Sequence, residues 1–489
     1  MSEVRSSYRQ IMKATFLFGG VQVFIIFFAM IRVKFVAVLL GTTGVGIMGL
    51  LNAPLQLLIA LTGLGIAFSA VRDISSAHAT GDLEKVSKSI LVLRRWSWFT
   101  GLLGLLITAS LAPWLSQWAF GNKNYTWSFI LLSITLLFQA ISRGQGTILQ
   151  GTRRLKDMAL ASVLGAMFGL ITAIPLFYFF KIDGIVPSMI LAAITTLILS
   201  WYFARKVVLE KVEIPLKETF ILGKNMVKLG IVISLTGLIG SFISYILISF
   251  ISKMGGVEQV GLYNSGWSII GQYTGLVFTA MLTDYFPRLS AINEDNQKVR
   301  TLINQQAEMV ALILSPLLIL LIIAMPLIIR VLYTPAFLPI VMFSNWIVLG
   351  IFLKGIAWPI GFIFPAKGNI KLFGSIELAA MIFSLTSDMT GYYLGGLEGL
   401  GISFIINYLF GLSVTYFFAN RRFEFYFSRT TIKLFFVTLS LVLLAFVSAY
   451  IKGHLFTYYF GSGVLFLSIT YSLISIQNRI KIFPIKGIF

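Results

Sequence analysis

The chain has 489 residues, 57% of them hydrophobic and 11% charged, with a mean hydropathy of +0.91. A soluble protein of this length carries about twice that share of charge, so the composition excludes a soluble globular enzyme and indicates a polytopic membrane protein. Its 38 Lys and Arg against 18 Asp and Glu leave a net charge of +20, read either as affinity for anionic lipid or an anionic substrate, or as topology signal.

Spanning helices need about 20 mostly apolar residues. The run after Arg5, Arg9 and Lys13 is too long for a signal-peptide core and lacks a small-x-small cleavage site, so it reads as the first membrane helix. In chain order the predicted spans are 11–35, 44–70, 92–118, 126–150, 157–180, 184–205, 222–252, 260–287, 304–332, 337–364, 371–395, 398–420, 431–451 and 455–476. Open sheet is excluded because unpaired backbone cannot sit in lipid. A barrel would need period-two alternation, which runs such as 317–323 lack. The stretch 205–228, with Glu210, Glu213 and Glu218, reads as a cytoplasmic linker or an interfacial helix. The Gly81-Asp82-Leu83 turn separates two helical pieces between the second and third spans.

One stretch occurs twice. Val45-Gly46-Ile47 reappears as Val260-Gly261-Leu262, Ile74-Ser75 as Leu289-Ser290, Lys156 as Lys371, and Asp183-Gly184 as Glu398-Gly399, all at an offset of 215 residues. A fixed offset marks an internal repeat, which in membrane transporters flanks a midplane site. The reading is an N-terminal six-helix lobe (1–210), a linker (211–221), a C-terminal six-helix lobe (222–425), and two extra helices with a basic tail (426–489). With the N-terminus inside, 29 of the 38 basic residues fall in cytoplasmic segments, seven fall outside, and Arg143 and Lys354 lie within spans. Most of the charge is therefore topology signal, both termini are cytoplasmic, and the two repeats insert in parallel.

Charge within a span is costly and so marks function. Lys354 lies near the centre of the tenth span, too deep to snorkel, and Arg143 lies nearer the inner end of the fourth. Arg32 ends the first span, and Arg72 and Arg288 sit at the inner mouth, one position apart under the offset. Arg and Lys in a cavity suit a phosphate or pyrophosphate, which Arg grips bidentately. Asp284, Glu377 and Asp388, all in the second repeat, are candidates for ion coupling or for helix pairing. The neutral residues Asn52, Gln56, Asn264, Gln272 and Tyr273 are candidate sugar contacts. In the first repeat Asp73 and Asp157 stand at helix ends and no carboxylate lies deeper within a span, which weighs against a cation or drug antiporter, since a desolvated cation needs a partner charge. With no Cys and only His78 and His454, both outside the spans, no metal or cofactor is expected. GTTGVG lacks the Lys-Ser/Thr ending of a phosphate loop, and no paired acid motif or large outer loop supports a glycosyltransferase, so no enzymatic activity is expected.

Several segments carry a family likeness: FVAVLLGTTGVGIMGL in the first repeat, FGNKNYTW before the fourth span, YTGLVFTAMLTDYFPRLSAI at the eighth, and VLGIFLKGIAWPIGFIFPAKGNIKLFGSIEL around Lys354. Over roughly residues 10–425 the chain resembles the Wzx-type polysaccharide (O-antigen) flippases of the multidrug/oligosaccharidyl-lipid/polysaccharide exporter superfamily. The resemblance implies two lobes around a cavity that opens alternately to each side of the bacterial inner membrane. It implies movement of an undecaprenyl-pyrophosphate-linked oligosaccharide to the outer leaflet, with Lys354 at the family's basic position. The expected partners are that lipid-linked oligosaccharide, anionic membrane lipids and other polysaccharide-assembly membrane proteins, and no nucleic acid. Two alternatives stay open: a cation-coupled multidrug antiporter, and a lipid-linked peptidoglycan precursor flippase.

Overall fold

A computed structural model describes residues 2–451 and 454–482; side chains before Phe24, and those of scattered positions that include Tyr273 and Asp284, lie outside the described residues. Among the described residues every regular element is helical. In order they are α1 (Ser2–Thr62), α2 (Ile66–Ala79), α3 (Leu83–Phe120), α4 (Thr126–Gly151), α5 (Leu155–Phe180), α6 (Ile185–Ala204) and α7 (Leu216–Ala291). There follow α8 (Asn296–Leu332), α9 (Ile340–Gly361), the short α10 (Ile363–Ala366), α11 (Ile370–Phe423), α12 (Arg429–Ile451) and α13 (His454–Ile482). Among the described residues, ten segments are long and apolar enough to cross a membrane. Four of them overlap two of the predicted crossings each, and the other six overlap one each. The protein is an all-α polytopic membrane protein.

Three pairs of crossings run together with no loop. The sequence reading expects a break between spans, and the structure shows how short that break is. α1 bends at Gly41 (φ 67°, ψ −167°), α7 at Gly256 (φ 82°, ψ 174°) and α11 at Gly395-Gly396. Gly41 and Gly256 are 215 residues apart, the offset of the sequence repeat. Their backbone region is open essentially to glycine alone. The same offset joins Lys181 (φ 48°, ψ −124°) to Gly396 (φ 57°, ψ −140°), and Arg153 (φ 55°) to Gly368 (φ 71°). The repeat is thus written into the corners of the backbone, with glycine on both sides at one pair and on one side at the other two.

Close approaches follow the same rule. A Cβ on Gly46 would lie 1.9 Å from the carbonyl oxygen of Val257, and one on Gly261 would lie 2.0 Å from that of Thr42. Residues 42 and 257, and 46 and 261, are offset partners, so this contact is reciprocal. Small residues let helix backbones touch where lipid offers no hydrophobic drive for association. Thr42 Oγ1 adds a 3.0 Å hydrogen bond to Glu258. The corner after α5 repeats as well. A Cβ on Gly184 would sit 2.3 Å from the Leu176 carbonyl oxygen, and one on Gly399 would sit 2.1 Å from that of Gly391.

The chain divides into two compact units, Met1–Gly261 with Leu332–Thr334, and Leu262–Val331 with Pro335–Phe489. In the first, the segment after α6 is an extended strap, and helix resumes at Leu216. Ser87 accepts the Glu210 N–H at 2.9 Å, Arg95 donates to the Ile214 carbonyl at 2.6 Å, and Trp96 Nε1 donates to the Thr219 carbonyl at 3.2 Å. Ile214 is buried among Ile74, Ile90 and Trp96. Gly81 (φ 73°) separates α2 from α3, and Asp82 caps α3 by accepting the Lys85 N–H at 3.0 Å. That hydrogen bond holds the Asp82 carboxyl below the usual carboxylate range.

In the second unit α12 and α13 dock along α8. Arg479 Nε bonds Glu308 at 2.8 Å, Thr431 donates to the same carboxylate at 2.6 Å, and Ser315 and Ser468 meet at 3.0 Å. Higher up, a Cβ on Gly461 would lie 2.7 Å from the Ile323 side chain. Trp346 of α9 packs on Phe446 of α12 with ring centroids 4.6 Å apart.

The corner geometry makes opposite forecasts for two substitutions. Gly256→Ala should destabilise by about 1–3 kcal/mol although nothing lies within 4 Å of the added methyl, because only the backbone conformation resists it. Lys181→Gly should stabilise by up to about 1 kcal/mol, since it relieves a positive φ at some cost in unfolded-state entropy. Thermal unfolding in detergent reads both.

Candidate functional site

A cavity of about 310 Å³ opens inside the first unit. Its walls come from the second arm of α1, the start of α2, the middles of α3 and α4, and the first arm of α7. Arg143 on α4 and Gln56 on α1 both line it, so two residues picked from the sequence for charge and polarity share one space. Both side chains are exposed within the fold, and Arg143 has no hydrogen-bond or ion-pair partner among the described residues. Ser97, Thr100, Thr62 and Ser241 complete the polar wall. The sequence reading missed these four, because a single hydroxyl in an apolar helix usually bonds its own backbone, as Thr62 and Thr100 do here at 2.8 and 2.9 Å.

Tight α3–α4 packing holds Arg143 in place. A Cβ on Gly144 would fall 2.4 Å from Ser97 Oγ, and one on Gly101 would fall 2.8 Å from Leu137. The cavity also receives a helix end. The span read as continuous over 44–70 breaks at 63–65, where Leu64 (φ 49°) and Gly65 (φ 62°) turn left-handed. α2 starts there with no side-chain cap, and Gly65, Ile66 and Ala67 line the cavity. Gly230 of α7 fits against the break, since a Cβ on it would lie 2.4 Å from the Leu64 carbonyl oxygen. The Ile66 N–H bonds back to the Gly63 carbonyl at 3.2 Å, and a helix N-terminus without a side-chain cap carries about half a positive charge. With the Arg143 guanidinium it makes a cationic pocket with room for a phosphate group.

The second unit holds the other intramembrane cation. Lys354 on α9 is half-buried, its ammonium 5.3 Å from the Phe278 ring centroid and 5.8 Å from that of Tyr408. Both are within cation–π range. Glu377 on α11 lies within electrostatic reach of Lys354, without a direct ion pair. Asp388, also on α11, is 6% exposed. It accepts hydrogen bonds from Ser403 at 2.5 Å and Asn407 at 2.7 Å, a pair four residues apart on the second arm of the same helix. That i, i+4 spacing was the available signal for both residues.

The remaining candidates are scattered. Asn52 donates to its own helix at the Met48 carbonyl, 2.9 Å away. Arg72 is exposed and pairs with the adjacent Asp73 at 2.8 Å. Arg32 is half-buried in α1, and Arg288 is exposed near the end of α7. Asn264 and Gln272 are half-buried on α7, and the Asn264 amide nitrogen has no hydrogen-bond partner among the described residues. The Tyr273 and Asp284 side chains lie outside the described residues. Among the described residues no cluster of three or more His, Asp or Glu could hold a metal.

Tightly packed helices in two units, with Arg143 and Lys354 inside long apolar segments, make up the architecture. It is similar to that of a multidrug resistance MATE family transporter of the MOP superfamily in an inward-facing conformation. That likeness has a TM-score of 0.67 at 16% identity, covering 84% of this chain and 96% of that one. It is also similar to the lipid II flippase MurJ in an inward closed conformation, with a TM-score of 0.64, 14% identity, and 95% and 99% of the two chains covered. A third likeness is to a MOP superfamily transporter from Pyrococcus furiosus with a binding pocket of reversed polarity, with a TM-score of 0.56, 17% identity, and 84% and 94% covered. The fold is the one these three structures share. Residues 35–342 match the polysaccharide biosynthesis protein family, and the chain belongs to that family. No curated protein sequence matches it.

The break in the α1–α2 region gives a local forecast. Gly230→Ala pushes a methyl into the Leu64 and Gly65 backbone and should lower stability by about 2 kcal/mol or more. Gly237→Ala, on the cavity side of the same helix with nothing within 4 Å, should be neutral or slightly stabilising. A thermal melt of the two variants side by side decides it.

Proposed function

We propose that the protein is a flippase that carries an undecaprenyl-pyrophosphate-linked oligosaccharide from the cytoplasmic to the outer leaflet of the bacterial inner membrane, by alternating access, for surface polysaccharide synthesis. The observation that carries this reading is the cationic cavity of the first unit. Arg143 and the uncapped start of α2 face one space with no carboxylate in its lining among the described residues. Such a lining repels cations and favours a diphosphate. Family membership supplies the glycan context, and the fold supplies the transport mode.

In this reading Arg143 engages the pyrophosphate in the first unit and Lys354 in the second, while Arg32, Arg72 and Arg288 guide the headgroup at the two mouths. Gln56, which lines the same cavity as Arg143, contacts the first sugar in this reading. Asn52, Asn264, Gln272 and Tyr273 are secondary sugar contacts. Anionic lipids surround the basic cytoplasmic loops, both termini are cytoplasmic, and other assembly proteins of the membrane receive the flipped product. The two six-helix repeats are the moving lobes.

A cation-coupled antiporter is the second reading, and Asp388 favours it. A buried carboxylate held by one hydroxyl and one amide can exchange a proton or a sodium ion. In the flippase reading the same residue, with Glu377 or Asp284, carries the coupling ion.

Export in a bacterial strain lacking its own oligosaccharide-lipid flippase tests the proposal at matched expression. The wild type should restore surface polysaccharide. Arg143→Ala and Lys354→Ala should each lower it by about tenfold or more, the loss of one charge-assisted hydrogen bond, and Lys354→Arg should retain most of it. Alanine variants that work like the wild type would remove the cationic-cavity reading. Direct drug efflux by the wild type, with no export, would establish the antiporter instead.

A further inference from the structure

The motif FGNKNYTW opens α4 and plays no part in the cationic cavity. A separate cavity of about 570 Å³ lies beside it, at the end of the first unit where the α3–α4 and α5–α6 turns meet the second arm of α1. This is the end away from the basic segments 72–95, 153–156 and 205–217. Leu51 forms part of its floor, and Tyr125, Trp127, Ser128 and Asp183 line it.

The turn is held rigid. Ser116 Oγ donates to the Asn122 carbonyl at 2.7 Å and accepts the Tyr125 N–H at 3.1 Å. Asn122 Oδ1 accepts the Asn124 N–H at 3.0 Å, and Thr126 Oγ1 donates to the Lys123 carbonyl at 2.7 Å. The Tyr125 ring stacks on Phe120, centroids 3.8 Å apart and planes 16° from parallel. Across the cavity, Asp183 sits in the turn Lys181–Gly184, fixed by the approach of Gly184 to the Leu176 carbonyl. Its carboxylate has no hydrogen-bond or ion-pair partner among the described residues, and it lies within electrostatic reach of the Tyr125 phenol. Trp127 is 73% exposed.

Exposed tryptophans also occur as interfacial anchors, which need neither a cavity nor a free carboxylate. Trp114 and Trp118 are of that kind, 63% and 54% exposed beside a cavity walled by leucines and aromatics. The Trp127 site differs by combining an aromatic face, a phenol hydroxyl and an unpaired carboxylate around one concave space of ligand size. A pyranose has an apolar C–H face and a rim of hydroxyl donors. The face matches an indole, and the hydroxyls match a carboxylate, which accepts at two oxygens.

We infer that this cavity is a saccharide subsite on the outer side of the first unit, with Trp127 stacking one sugar ring and Asp183 and Tyr125 holding its hydroxyls. The inference rests on the proposed glycan cargo and gives that cargo a contact where it leaves the membrane. The subsite is separate from the Arg143 cavity, which takes the diphosphate.

Saturation-transfer NMR on the full-length protein in lipid nanodiscs tests it. The probe is oligosaccharide released by mild acid from the surface polysaccharide of the strain whose export the protein restores. Wild type should show transfer to ring protons, Trp127→Ala and Asp183→Asn should bind about tenfold more weakly, and Trp118→Ala should bind as wild type does. Asp183→Asn keeps the readout if Trp127→Ala folds poorly. No transfer with the wild type, or equal losses in Trp127→Ala and Trp118→Ala, overturns the subsite. Restored export without transfer overturns the subsite alone. Should the wild type restore no export, the flippase reading falls by itself, and chitotriose and cellotriose become the probes. Binding of neither then overturns the subsite too.

Discussion

Hydrocarbon cannot hydrogen-bond to a peptide group, and the rest of this structure depends on that constraint. A chain with ten segments, among the described residues, long and apolar enough to cross lipid must keep its N–H and C=O groups inside helices and turn only where a break is short. The turns at Gly41, Gly256 and Gly396 achieve this with one residue of positive φ each. Helix continues on either side, so few backbone groups are left open. The same economy explains the reciprocal contact of Gly46 with Val257 and of Gly261 with Thr42. Where side chains gain nothing by leaving lipid, backbones come together directly and association rests on van der Waals contact.

Against that background, the places where the rule is relaxed are informative. The break at 63–65 leaves α2 without a cap, and it faces a cavity rather than lipid. Arg143 lines the same cavity. An open helix end and a bare guanidinium are each expensive in hydrocarbon, and each is tolerable where water or an anion can reach it. Lys354 meets the same cost differently, against two aromatic faces and within range of a carboxylate. The two units thus keep their cations in unlike surroundings, although the backbone around them repeats.

Much of the fold was legible because lipid simplifies the code. Apolar runs and charge asymmetry located the crossings, and the offset read from short matches returned as paired corners at Gly41 and Gly256. Other features were hidden for definite reasons. The break at Leu64 sits inside an unbroken apolar run, so hydropathy passes over it. Asn52 and Gln56 look equivalent in sequence, yet one turns back to its own helix and the other faces the cavity, a difference of helix face rather than residue type. Ser403 and Asn407 acquire meaning only once the second arm of α11 folds back on Asp388. Arg143 and Lys354 stood out at once, since depth in a span is readable and charge there is rare.

The sequence reading sets α12 and α13 apart as two extra helices after residue 425, which makes them look dispensable. Their contacts contradict that. Arg479 near the end of α13 supplies the charge that balances Glu308 inside α8, and Thr431 completes its hydrogen bonding. Without α12 and α13, this carboxylate would face the membrane with no counter-charge, and α8 would lose its neighbour at Ser315 and Ile323. The hairpin is therefore part of what makes the second repeat insertable. Synthesis of the final 29-residue helix becomes the step that completes a helix laid down well before it. Until the ribosome has passed Arg479, the nascent protein holds an acid in the bilayer whose base has not yet been made.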